Sequence, residues 1–310
     1  MVDDPAVDRA ANLPALSYSQ RMARAEDKQR LVREFLSSGE QWTTTANAAV
    51  LLNLSRQQTE KCLHRLVDLG ELTSSEMFLN LGGWRRERVW GATRALLDAH
   101  GQPDLAAFSS SRVNAAYAPH HLHTQHLHIL SRGAGLRWIP GKILSAQSWR
   151  DCKNKAAGRL RKVPDAMLLV PYPSKIGEYH RVAVEVELHQ KTAVRYKDSI
   201  SRHLDDMGIL TEGSTERGRE LRELAKQNAV PRGRHYDQVH YICPSGNQKT
   251  FQATFDKIGF VKNSFGLLTL EDFHRYRIKF FSADEWIAKL KDWKTKSTET
   301  MQRWKIAEDL

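Results

Sequence analysis

The sequence predicts an α/β (α+β) chain built of two folded units, a helical unit closed by a β-hairpin and then a sheet-centred unit. Three observations predict it. Between residues 28 and 90 the patterning runs helix, helix, helix, hairpin. Beyond residue 119, strand-like apolar runs at Asp165–Val170, Arg181–Leu188 and Val239–Pro244 are spaced far enough apart for helices to lie between them. The length of 310 residues suits about two domains.

Residues 1–27 read as an arm. A helical stripe then begins at Lys28, with Leu31, Val32, Phe35 and Leu36 on one face, and ends at Gly39. A second short helix runs from Thr45 to Leu52, with threonines available as its cap. Ser55 and Gln58 form a capping-box pattern, and the helix they open buries Thr59, Leu63, Leu66 and Val67 at helical spacing. Gly70 stands where a left-handed residue ends a helix. Two strands, Leu72–Leu79 and Trp84–Trp90, follow around a Gly82-Gly83 turn. This order is that of a winged helix-turn-helix over residues 28–100. Its third helix turns Arg56, Gln57, Lys61, His64 and Arg65 away from the apolar stripe, and its hairpin carries Arg85, Arg86 and Arg88. These side chains bond phosphates and base edges, so the expected partner is double-stranded DNA.

Charge supports the same partner. Lys and Arg number 47 against 36 Asp and Glu, a net charge of +11. Cations that meet phosphates release condensed counterions, so such a surface favours nucleic acid. Cys62, Cys152 and Cys243 are odd in number and scattered, which argues against a disulfide framework or a cysteine zinc site. The acidic first residues and the brevity of the apolar runs predict no signal peptide and no membrane insertion, hence a cytoplasmic protein.

Residues 101–118, with Gln102-Pro103 and Ser109-Ser110-Ser111, read as a linker. The second unit spans 119–285, with a charged insertion at 205–234, and 286–310 form a basic amphipathic tail containing Trp286, Leu290, Trp293, Met301 and Trp304.

The chemistry is concentrated in three segments. Pro164-Asp165 opens an apolar strand. In Arg181–Leu188, side-chain alternation puts Val184 and Val186 on one face and Glu185 and Glu187 on the other. Two glutamates on so apolar a strand are costly to bury without a positive charge nearby. Hard oxygen ligands suit magnesium or manganese, so Asp165, Glu185 and Glu187 are the candidate metal ligands. Lys191, just past the strand, is a candidate cation beside a phosphate. An edge strand with a solvated face is the alternative for the two glutamates.

This arrangement resembles the PD-(D/E)XK nuclease superfamily, with Asp165 and Glu185 matching its two acids. The usual lysine position, two after the second acid, holds Glu187. Either Glu187 serves as a further carboxylate or Lys191 replaces the lysine. Over residues 28–260 the chain also resembles the replication-relaxation family, which includes relaxases of the MobC type from mobilisable plasmids. The resemblance is carried by Val89-Trp90-Gly91, the segment His120–His128, Leu136–Pro140, Pro164-Asp165, Val182–Lys191 with Arg195-Tyr196, and Val239–Pro244. It implies a winged helix joined to a nuclease-like domain with a central mixed sheet flanked by helices. The implied activity is Mg2+- or Mn2+-dependent DNA nicking at a plasmid origin, with mobilisation or coupling proteins as partners. A regulator with an inactive nuclease fold and a restriction or defence nuclease are the alternatives.

His120, His121, His123, His126 and His128 follow Pro119, a helix-start pattern. The favoured reading is a scaffold helix; the alternatives are a histidine that supports the metal ligands or touches DNA, and a His-x-His metal site paired with a catalytic tyrosine.

Overall fold

A computed structural model of the chain describes residues 17–153, 162–171, 178–207, 235–258, 260–263, 266–269, 277–293 and 295. The chain is mixed α/β. The first helix, α1 (Tyr18–Phe35), starts ten residues before the apolar stripe does. Ser17 accepts from the Gln20 amide while the Gln20 side chain accepts from the Ser17 amide, a reciprocal cap that fixes the start. Residues 18–27 are thus helical where an arm was expected. Residues 1–16 lie outside the described residues. A π-type turn over Leu36–Glu40 follows, then β1 (Trp42–Thr44), α2 (Thr45–Leu52) and α3 (Arg56–Asp68). Both halves of the predicted capping box at Ser55 and Gln58 form. The strands β2 (Leu72–Asn80) and β3 (Trp84–Ala92) make a hairpin, and β1 adds on the far side of β3. Val32, Phe35, Leu36, Leu52, Leu63, Leu66 and Trp90 fill the core between helices and sheet. The Trp90 indole donates to Thr45 Oγ1 at 3.0 Å, which satisfies the one polar atom that burial would otherwise strand.

After α4 (Arg94–Ala99) comes the stretch 101–118, expected as a linker. It packs: Leu105 is buried in the N-terminal core and Phe108 lies against Gly91. The histidine-rich segment is a single helix, α5 (Ala118–Gly133), with Pro119 in its first turn. It leads to β4 (Arg137–Pro140), α6 (Gly141–Lys153), β5 (Ala166–Pro171), β6 (Tyr179–Val186), α7 (Ala193–Asp206) and β7 (Gln238–Cys243). A helix over Gln248–Asp256, a small ribbon of β8 (Phe260–Asn263) and β9 (Gly266–Thr269), and β10 (Ile278–Ser282) complete the unit with a last helix over 283–293. The sheet order is β10-β7-β6-β5-β4. β5 runs antiparallel to both β4 and β6, while β6, β7 and β10 run parallel, so the sheet is mixed as expected. A parallel pair needs a crossover, and α7 supplies it between β6 and β7.

β6 is an inner strand, which overturns the edge-strand alternative for its glutamates. One sheet face packs Met167, Leu169, Ala183 and Tyr241 under Tyr196, Ile200 and Leu204 of α7. The other packs Leu168, Val182, Val184 and Ile242 under α5 and the last helix, through Leu127, Trp286 and Leu290. The expected tail from residue 286 therefore begins inside a packed helix. Residues 208–234, most of the charged insertion, and 296–310 lie outside the described residues.

Candidate functional site

The start of β5 and the end of β6 meet at one edge of the sheet. Ala166 pairs with Val184, so the next step of the antiparallel register sets Asp165 beside Glu185. Gly141 lets α6 begin against this corner. Its amide donates to the Asp165 carbonyl at 2.8 Å, and a Cβ there would sit 2.5 Å from the Pro164 carbonyl oxygen. The Asp165 side chain turns toward α5. Its Oδ2 accepts from the Val186 amide at 2.8 Å and from His120 Nε2 at 3.1 Å. That hydrogen bond outweighs burial and raises the His120 imidazole above its usual pKa.

Glu185 is 3% exposed. Burial alone would push its carboxyl up, but Lys162, whose Nζ bonds Glu185 Oε2 at 2.5 Å, and His203 hold it at about 2. Lys162 is fixed in turn by its amide, which donates to Asp206 Oδ2 at 2.9 Å. His203 sits on the buried face of α7. Its Nδ1 lies 2.6 Å from the Tyr236 hydroxyl, and that hydroxyl donates to Asp206 at 3.3 Å. With Tyr236 donating onward, His203 Nδ1 carries a proton and gives it to the tyrosine oxygen. His203 Nε2 then faces Glu185 Oε1 at 3.2 Å. The distance is that of a hydrogen bond but the alignment is not, and both buried atoms lack a hydrogen-bond partner. Burial lowers the His203 pKa, against the pull of the Glu185 carboxylate, which raises it. A proton or a cation between them would satisfy both atoms.

Glu187 falls just past β6, its amide continuing the ladder to the Ile242 carbonyl at 2.9 Å. It is buried, which raises its carboxyl, and it is paired with Lys191. The structure thus brings Asp165 and Glu185 to one corner, each with its own partner, and gives Glu187 to Lys191. Among the described residues, no three His, Cys, Asp or Glu side chains lie close enough together to hold a metal ion. Lys162 and His203 were missed by sequence reasoning, and His120 was named only as one of five histidines on a helix whose favoured role was scaffold. The one signal for His203 was its place in the apolar row Tyr196, Ile200, Leu204 of α7. A cleft of about 390 Å³ opens beside Asp165, between the two units, lined by Glu40, Tyr117, His120, His121, Lys142 and Pro164, among others.

A second candidate surface lies on the N-terminal unit. Arg56, Gln57, Lys61, His64 and Arg65 are all exposed on α3. The hairpin arginines divide between its faces. Arg86 and Arg88 both pair with Glu76 on the outer face, and Arg88 Nη1 reaches His64 Nε2 at 3.5 Å. Arg85 pairs with Glu87 on the inner face and lines a pocket against His123 and His126 of α5. Among the described residues no helix is long and apolar enough to cross a membrane.

No family model, curated protein or solved structure matches the chain. The resemblance to the replication-relaxation family therefore rests on its ordered short motifs.

Proposed function

We propose that the protein binds duplex DNA through a winged helix-turn-helix and cleaves a phosphodiester bond with a PD-(D/E)XK-like domain. The reading extends to nicking at a plasmid transfer or replication origin, as the resemblance implies. The observation that carries it is the Asp165–Glu185 corner, where an anionic, nearly water-free carboxylate keeps one oxygen without a hydrogen-bond partner. Carboxylate oxygens from adjoining strands fit a hard divalent ion. Glu185 Oε1 and the facing His203 Nε2, 3.2 Å apart, would hold it, an oxygen–nitrogen pair that fits manganese better than magnesium, and Asp165 would join them on turning from His120. The bound ion would supply charge stabilisation at the phosphate. Lys162, poised on Glu185, and Lys191, beside Glu187, offer cations to the same phosphate. His120 orients Asp165. The α3 surface and the outer arginines bring the duplex to the protein.

The test is incubation of the full chain with supercoiled plasmid in magnesium, in manganese and without either. Nicking with a divalent ion is expected, faster in manganese. Asp165→Ala and Glu185→Ala are each expected to lower the rate about a hundredfold or more while duplex affinity stays. Intact plasmid in both ions, with tight DNA binding, sinks the catalytic half. A second reading, a DNA-binding regulator with a silent nuclease fold, is favoured by Lys162 and Lys191 already neutralising Glu185 and Glu187.

A further inference from the structure

Side-chain alternation sorts the β2–β3 hairpin into two unlike faces. On the inner face Met77, Leu79 and Val89 pack with Trp42 and Ala118. The outer face carries Glu76, Phe78 and Asn80 on β2 opposite Arg88, Arg86 and Trp84 on β3. Phe78 is 64% exposed and Trp84 65%. Single exposed apolar side chains are ordinary, but here two aromatic rings are diagonal neighbours, roughly 7–8 Å apart at such positions. Arg86 stands directly across from Phe78. The Gly82-Gly83 turn beyond them, at φ 80° and 153°, leaves the tip free of side chains that could cover the rings.

The same face runs into α3. Two residues after Arg88, Trp90 is wholly buried beneath that helix, and the His64 ring meets its edge at 4.9 Å. Arg88 bridges the two elements, with its guanidinium 5.9 Å from the Trp90 ring and its Nη1 3.5 Å from His64. Through the His64–Arg88 contact the exposed side of α3 joins the outer hairpin face, where Arg86, Phe78 and Trp84 follow Arg88. Cations along such a row track a phosphate backbone. Aromatic faces at its end have no use for the paired bases of an intact duplex, whose π-faces are covered by their neighbours, but they do stack on bases that are unpaired.

We propose that Phe78 and Trp84 form a stacking platform for unpaired bases, so that the DNA engaged is a duplex with a melted or single-stranded stretch beside the α3 contact. This rests on the duplex-binding reading above and adds the form of the substrate. Arg86, shared with Glu76, is positioned to swing onto the strand that leaves the duplex.

The test uses the full chain without divalent ions. Three probes of one sequence are compared by fluorescence anisotropy: a paired duplex, the same duplex with a short central bubble, and one with a single-stranded fork. A 2-aminopurine in the unpaired stretch reports stacking by its quenching. The bubble or fork is expected to bind about tenfold or more tighter than the paired duplex, with quenching on binding, the gain of about one stacked base. Trp84→Ala is expected to remove most of that preference and the quenching while leaving paired-duplex affinity and the melting temperature in place. Trp84→Phe is expected to restore most of both. Equal affinity for all three probes, or a Trp84→Ala effect that falls equally on paired DNA, overturns the platform. Absence of binding to every probe instead sinks the duplex-binding reading beneath it.

Discussion

Glu185 is an anion with almost no water, and its neighbours explain how it stays one. Desolvation of a lone buried carboxylate costs several kcal/mol, yet its pKa is about 2 because the Lys162 ammonium sits on Oε2. Removing Lys162 leaves the charge buried with His203 alone facing it. Lys162→Ala is therefore expected to destabilise the fold by about 3 kcal/mol at neutral pH, the order found when one partner of a buried pair is deleted. The pH dependence has a definite sign. The folded value of Glu185 lies below its unfolded value, so its contribution is complete above about pH 4.5 and is lost as pH falls toward 2. The gap between parent and Lys162→Ala in urea unfolding should be widest near pH 7 and shrink below pH 4.5. A gap constant with pH would mean that Lys162 acts through packing instead. Glu187→Ala and Lys191→Ala distinguish two versions of the proposed site: if Glu187 is a ligand its loss should weaken metal affinity, and if Lys191 is the catalytic cation its loss should slow cleavage at saturating metal.

The third helix and the hairpin give the element-scale prediction. Arg56 is 70% exposed and paired with Glu60 four residues on, a weak surface pair. Arg56→Ala with Lys61→Ala is expected to weaken duplex binding and flatten its salt dependence, by about 0.9 in log–log slope for each phosphate that is no longer neutralised. Titrations from low to moderate salt measure it, and an unchanged slope takes these side chains off the phosphates. These elements were legible because their signals are local: Ser55 and Gln58 cap α3, Gly70 ends it, and Gly82-Gly83 turns the hairpin within a few residues. The start of α1 was hidden because Tyr18, Met22, Ala23 and Ala25 make no continuous apolar stripe, and the cap at Ser17 lies ahead of the one that begins at Leu31. The strand acids at 165 and 185 were legible from alternation. Their partners were not, since Lys162, His120 and His203 reach them only once β5, α5 and α7 are packed. The same holds for Glu185 and Glu187: their spacing allowed a solvated edge, and only the pairing of β6 between β5 and β7 makes them buried.

At the scale of the whole molecule, α5 is the element on which the two units meet. Its Ile129 belongs to the N-terminal core and its Leu127 to the second unit. Asn47 Nδ2 donates to the Leu122 carbonyl at 3.0 Å, Thr43 Oγ1 to Gln125 Oε1 at 3.0 Å, and Arg132 pairs with Glu34. At the centre Glu40 and His128, 3% and 4% exposed, meet at 2.8 Å. The His128 ring lies between Phe35, at 4.9 Å, and Trp138, at 5.7 Å, and Trp138 meets Trp286 of the last helix. These packed side chains run from α1 through α5 to the helix over 283–293, along the face of the sheet that α5 covers. Cutting the chain after residue 100 would therefore remove Leu105, Phe108 and Ile129 from the N-terminal unit and expose its core, so such a fragment is expected to unfold or aggregate. The intact chain should unfold in one cooperative step, with tryptophan fluorescence and far-ultraviolet circular dichroism giving the same midpoint. Glu40→Ala strips His128 of its buried partner and is expected to cost about 1–3 kcal/mol, the penalty for a buried polar group left unsatisfied. That cost should appear on both probes at once, because the pair belongs to neither unit alone. Two separated transitions in the unaltered protein, or a Glu40→Ala shift confined to one of them, would show the units to be hinged, and the cleft beside Asp165 would then have no fixed shape.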